Sequence, residues 1–345
     1  MPYPQRIIGQ DKISAQGLGC INLRFGQSAA IDQNSADILT RAADLGINFW
    51  DTSDMVHQST NEKLVGKWFR DTGRRKEIFL STKFGNLPLE DGVWIVRGDA
   101  AYVKAACAAS LQRLGVDVID LYYQHRVDPN IPIEETVKAM AELKSEGKIR
   151  YLGLSKCSAQ TLRRAHAVHP IAAVQMELSP LALEIESDQT KFLETARELG
   201  VTVVAYSPLG RGFIGSMFQS RDDLPANEYR MQNPRFSGDH FGENVKLVSA
   251  LSDMAKAKGV TLPQLTLAWV MAQGDDIIPI PATTRIAHLE GNAAAVDVLL
   301  SSAEMAEVRQ YIDKALEKLG GVKGLLIPPV IMDRCFGDTP EPPAE

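Results

Sequence analysis

Between positions 14 and 282 one pattern recurs eight times: a brief, continuously apolar run, a polar loop, and a longer stretch with helical periodicity. The apolar runs fall at 14–20, 47–52, 78–83, 119–125, 151–156, 172–178, 202–207 and 277–282. Helical patterns occupy 35–45, 61–71, 101–114, 133–146, 159–166, 190–199 and a longer region, 244–273. Several end in a glycine that can take the left-handed conformation closing a helix, as at Leu45-Gly46, Leu114-Gly115, Glu146-Gly147 and Leu199-Gly200. Apolar strands alternating with helices imply a parallel sheet covered on its outside. Eight such units imply closure, so the expected fold is α/β, a (β/α)8 TIM barrel preceded by a hairpin at 6–16.

A length of 345 residues suits one such barrel, expected over 1–327, with a proline-rich tail at 328–345 that is extended or disordered at its end. Two long loops, 85–98 and 213–242, would emerge at the C-terminal face of the strands as walls or lids. The net charge of -6 gives no reason to expect nucleic acid or an anionic membrane surface as a partner. Cys20, Cys107, Cys157 and Cys335 are too scattered for a metal or redox motif, and Met1-Pro2-Tyr3-Pro4 does not open like a signal peptide. No apolar run approaches the roughly 18 to 20 residues that span a bilayer. The expected setting is the cytoplasm, and the expected partner a small molecule. Oligomeric state is not readable.

Strand ends are where a barrel places chemistry. Asp51, Lys83 and His125 close three successive strands. A lysine beside an aspartate can tune proton transfer, and a histidine can donate to a substrate oxygen. Singly, such residues are more often structural; all three on one face are a candidate catalytic set. A second group suits a dinucleotide. Ser155, Lys156, Gln175 and Tyr206 end the next three strands, offering a hydroxyl, an amide and a flat ring for a nicotinamide. Ser207, Leu209, Gly210 and Arg211 follow as a small-residue turn with a cation for a pyrophosphate. Thr283 and Arg285, leading into a helix with Asn292, suit a 2′-phosphate, although a plain helix-capping turn explains the threonines equally well. Trp50, Met55, Val56 and Trp94 are expected to form an apolar wall for a bulky substrate.

These residues resemble the aldo-keto reductase superfamily. The likeness runs over about 5–320 and rests on Gly46-Ile47-Asn48-Phe49-Trp50-Asp51-Thr52-Ser53-Asp54, Arg113-Leu114-Gly115-Val116-Asp117, Ile119-Asp120-Leu121-Tyr122-Tyr123-Gln124-His125 and Gly147-Lys148-Ile149-Arg150-Tyr151-Leu152-Gly153-Leu154-Ser155. It implies a (β/α)8 barrel, extended NADP(H) and direct hydride transfer to a carbonyl. By position it implies that Asp51 and Lys83 tune an acid and that His125 orients the carbonyl. Ser155, Gln175 and Tyr206 would hold the nicotinamide, with Leu209, Gly210 and Arg211 at the pyrophosphate. Arg285 would meet the 2′-phosphate and Asn292 the adenine.

The sequence departs from the family pattern in two places. Lys156 stands where an asparagine usually follows the serine. More consequentially, Asp51-Thr52-Ser53-Asp54-Met55-Val56-His57 has Val56 where the family has its proton-donating tyrosine. General acid catalysis is worth about 10²- to 10⁴-fold. Three readings are then open: a reductase in which His57 or His125 replaces the phenol; an enzyme of secondary metabolism whose substrate needs no phenol, such as an iminium reductase, isomerase or epimerase; or an NADP-binding sensor or subunit without turnover. Retention of Asp51, Lys83 and His125 favours an enzyme, and the reductase leads.

Overall fold

The computed structural model describes residues 3–56, 59–88, 94–216, 223, 236, 238–318, 332, 333 and 335–342. An antiparallel hairpin of β1 (Gln5–Ile8) and β2 (Asp11–Ser14) comes first. Eight parallel strands follow: β3 (Leu18–Gly19), β4 (Phe49–Asp51), β5 (Phe79–Phe84), β8 (Ile119–Gln124), β9 (Ile149–Ser155), β10 (Ala173–Glu177), β11 (Thr202–Tyr206) and β12 (Ile277–Pro279). The first and last are joined by Gly17 N to Pro279 O at 2.9 Å and Gly19 N to Pro281 O at 3.0 Å, so the sheet closes. Closure needs glycine: a Cβ on Gly19 would lie 2.8 Å from Ile280 O. The fold is a (β/α)8 barrel.

Side chains alternate across each strand. Phe49, Phe79, Leu121, Tyr123, Ala173, Val204 and Ile278 point inward and, with Ile8 and Ile13 of the hairpin, fill the barrel. Their neighbours Trp50, Leu80, Tyr122, Val174, Val203 and Ile277 face the surrounding helices. The inward phase carries upward to the C-terminal rim, where Asp51, Lys83, His125, Ser155, Gln175 and Tyr206 stand.

The helices follow the expected positions with two differences. The region at 244–273 is two helices, α8 (Gly238–Lys258) and α9 (Leu262–Met271). Gly259, at φ 74°, ends the first, and a reciprocal cap between Thr261 and Gln264 opens the second. A further helix, α11 (Ser302–Glu317), is missing from the sequence reading, although its capping pair Ser301 and Glu304 is legible there. In the 85–98 loop, Asn86–Pro88 (β6) and Trp94–Val96 (β7) form a small hairpin.

Residues 336–342 of the tail are extended and anchored. Gly337 pairs with Cys157, its N–H donating to Lys156 O at 2.9 Å and its carbonyl accepting from Ser158 N at 2.9 Å. Phe336 packs against Phe192, and Arg164 donates to Thr339 O and Pro340 O. Among the described residues no helix is long and apolar enough to cross a membrane.

Candidate active site

A cavity of about 530 Å³ opens at the C-terminal rim, lined by residues from every barrel strand or the loop after it. It divides into an acid–base half on β4, β5 and β8 and a flat, cationic half on β9, β10 and β11.

In the first half, Asp51 and Lys83 are 5% and 4% exposed and form an ion pair. Two charges at that depth persist only if their other valences are met. The second Asp51 oxygen accepts from Ser81 Oγ at 2.8 Å and Gln175 Nε2 at 2.9 Å, and Lys83 Nζ also donates to Thr52 O at 2.9 Å. An ammonium has three N–H groups. The third has no described acceptor, and Lys83 lines the cavity.

His125 Nδ1 lies 3.1 Å from Ser53 Oγ. That hydroxyl accepts from Met55 N at 3.3 Å, and with its own proton assigned to Nδ1 the imidazole hydrogen sits on Nε2. Burial, then the nearby Lys83, Lys156 and Arg126, hold the His125 pKa well below the usual imidazole range. The ring is therefore neutral near pH 7, a hydrogen-bond donor rather than a store of protons.

Val56 also lines the cavity and is 6% exposed. His57, the proposed replacement acid, lies outside the described residues.

The second half is built differently. Ser155 Oγ donates to Gln175 O at 3.0 Å, and both residues line the cavity. Gln175 thus reaches from the nicotinamide-type group to Asp51 and couples the halves. Tyr206 lines the cavity while its buried hydroxyl has no partner among the described residues, and burial raises the phenol well above its ordinary range. It is no substitute acid. Beyond it the backbone turns left-handed at Ser207 (φ 50°), Gly210 (59°), Arg211 (56°) and Gly212 (84°). The turn is closed internally, Gly210 N donating to Ser207 O at 2.9 Å and Gly212 N to Leu209 O at 3.1 Å. Arg211 adds its guanidinium, held by Glu177 through Nη2–Oε2 at 2.6 Å and Nε–Oε1 at 3.2 Å. Leu209 lines the cavity, and Gly210 is buried behind it.

Thr283, Arg285 and Asn292 stand outside the cavity, beside or on α10 (Ile286–Ala293), past the Ile280-Pro281-Ala282 rim. Thr283 Oγ1 accepts from Arg285 N at 3.1 Å, so the hydroxyl helps to shape the helix entry while the Arg285 side chain remains exposed.

The expected apolar wall keeps Val56 and is corrected at Trp50, Met55 and Trp94. Trp50 is fully buried against Trp68 and Phe69, with its indole N–H on Ile47 O at 2.8 Å. The reason is strand phase: with Asp51 inward, residue 50 must face outward. Trp94, 52% exposed on β7, and Met55, whose sulfur accepts from Asn86, do not line the cavity. Ile21, Val56, Pro208, Leu209 and Ile280 supply an aliphatic lining instead. The sequence reading gave no role to Ser53 or to Asn22, also in the lining. Ser53 was within reach, lying inside the quoted motif two residues past Asp51.

Residues 17–313 match the model described as the aldo/keto reductase family. The chain is 44% identical over 344 residues to the aldo-keto reductase yakc [NADP(+)] of Schizosaccharomyces pombe, covering 99% of this chain and 100% of that protein. It is 49% identical over 321 residues to the aldo-keto reductase str7 of Strobilurus tenacellus, covering 91% and 94%. An aldo-keto reductase from Klebsiella pneumoniae solved in complex with NADPH superposes with a TM-score of 0.70 at 30% identity, over 90% of this chain and 96% of that one. A glycerol dehydrogenase from Gluconobacter oxydans, at 22% identity, shares the fold with a TM-score of 0.82 over 100% and 99%. The chain belongs to the aldo/keto reductase family.

Proposed function

We infer that this oxidoreductase uses NADP(H) to reduce a bulky, mainly hydrophobic carbonyl or imine, with a proton donor other than a phenol. The observation that carries the reading is the retained Asp51–Lys83–His125 set lining one cavity with Val56. Relatives whose names specify NADP support the cofactor, and the cavity's residues fit it: a flat ring at Tyr206, a hydroxyl and amide at Ser155 and Gln175, and a cation on a left-handed turn at Arg211. When bound, the cofactor supplies the hydride.

Among the described residues of the acid–base half, His125 Nε2–H and the third N–H of Lys83 can donate to a substrate oxygen. The imidazole polarises it, and the ammonium provides the proton as negative charge develops. Asp51 steadies Lys83 in place. An iminium needs no such proton, since it already carries its charge, so iminium ions suit this site better than ketones do. The aliphatic lining favours an apolar body around the reacting carbon.

The test is NADPH oxidation by the purified protein across aliphatic aldehydes, ketones and cyclic iminium ions, using cofactor deuterated at C4. Deuterium in the product, with turnover highest for the iminium series, is the expected result. Conversion of substrate to an isomer without cofactor consumption would overturn the reductase reading.

A further inference from the structure

Lys156 is not explained by that reading. Its backbone is left-handed at φ 55°, a conformation lysine rarely takes, with N–H on Gln175 O at 3.3 Å and C=O receiving Gly337 N at 2.9 Å. The strand edge and the tail therefore hold it from two sides. The side chain lines the cavity, and Nζ sits 4.9 Å from the centre of the Tyr206 ring. No described carboxylate pairs with it; the nearby Glu177 is occupied by Arg211.

We propose that Lys156 makes the site select the reduced over the oxidised form of the nicotinamide cofactor. The proposal rests on Tyr206 being the stacking platform for that ring. NADPH and NADP⁺ share adenine, riboses, all phosphates and the carboxamide, so every contact to those groups cancels when the two affinities are compared. They differ by one positive charge on the ring. A ring stacked on Tyr206 comes within roughly 8.5 Å of the ammonium, whichever face it takes. The Asp51–Lys83 pair is internally neutralised, as is Glu177–Arg211. The Lys156 charge is not, and it repels only the oxidised ring. At such a distance in a partly buried site the discrimination is about tenfold or more.

The preference also depends on pH. Burial, with Arg126 and Arg211 opposing Glu177 and Cys335, lowers the Lys156 pKa to about 8. The groups facing it are His125 and Arg126 after β8, Glu177 on β10, Tyr206 and Arg211 at and after β11, and Cys335 on the tail; His125 stays neutral across the range tested. Burial raises both the Tyr206 phenol and the Cys335 thiol. The 2′-phosphate titrates too, but equally in both cofactor forms.

Dissociation constants for NADPH and NADP⁺, from tryptophan quenching at pH 6.5 and 9.5, test the proposal on wild type, Lys156→Asn, Lys156→Arg and Tyr206→Leu. Asparagine tolerates the left-handed backbone without the charge. The ratio of the NADP⁺ to the NADPH constant should fall about tenfold in Lys156→Asn at pH 6.5 and match wild type at pH 9.5. Lys156→Arg should hold the wild-type pH 6.5 ratio at both pH values, because a guanidinium stays charged, and Tyr206→Leu should weaken both forms. An unchanged ratio in Lys156→Asn overturns the proposal. So does Tyr206→Leu binding both forms as wild type does, which refutes the platform instead. Should circular dichroism show Lys156→Asn misfolded, Lys156→Arg decides alone: a ratio that still falls with pH excludes Lys156 as its source.

Discussion

The two halves of the barrel rim solve the same problem, holding polar groups at a water-poor site, by opposite means. On β4, β5 and β8 the groups are side chains at strand ends, each satisfied by another strand: Asp51 by Lys83, Ser81 and Gln175, and His125 by Ser53. On β9 to β11 the work falls to backbone in left-handed turns at Lys156, Ser207 and Arg211. Non-glycine residues in that region cost of order 1 kcal/mol or more each, and they persist where the surrounding structure over-determines them. On the function proposed above, the first half holds the reacting atoms and the second receives the cofactor. The difference teaches that valine at position 56 bears on the first half alone, since it lines the cavity beside Lys83 and His125.

The largest effect should come from breaking the first half. Lys83→Met should lower kcat/KM by about 10³-fold or more while changing NADPH affinity much less. It should also destabilise the fold by about 3–5 kcal/mol, because Asp51 is left buried and unpaired. The double variant Lys83→Met, Asp51→Asn should recover stability in urea titration without recovering activity. Arg211→Gln probes the other half: it should weaken NADPH and NADP⁺ alike, by about tenfold, with little change in kcat.

Smaller effects sharpen the contrast through pH. Because His125 is held neutral, its ionisation should contribute no limb to a kcat/KM profile between pH 6 and 8. Lys156→Met should raise thermal stability. A lysine whose folded pKa is lowered from 10.5 to about 8 penalises the folded state fully below pH 8, and the penalty vanishes as pH approaches 10.5. The gain in melting temperature should shrink across that window. A gain independent of pH would instead indicate better apolar packing.

Much of this was legible in the sequence, for identifiable reasons. Strand–helix alternation with glycine stops specified eight units, and the acid, lysine and histidine at three strand ends followed from where barrels place function. Strand phase was also available and would have turned Trp50 outward. The left-handed turns at Lys156 and Arg211 were hidden because neither residue is a glycine or asparagine. The anchoring of residues 335–342 was hidden as well. Proline-rich composition argues for an extended chain, but not for the tertiary contacts to Lys156, Ser158 and Arg164 that dock it.

The most direct test of a reductase frame lacking only its phenol is NADPH oxidation by wild type and Val56→Tyr side by side, with one aromatic ketone and one cyclic iminium of matched size. Val56 lines the cavity, so a phenol there enters the space beside Lys83 and His125. Ketone turnover should rise about 10²-fold or more in the variant, while iminium turnover changes less than a few-fold. Equal gains on both substrates, or no gain on the ketone, would contradict the claim that the phenol is what separates this site from a faster ketone reductase.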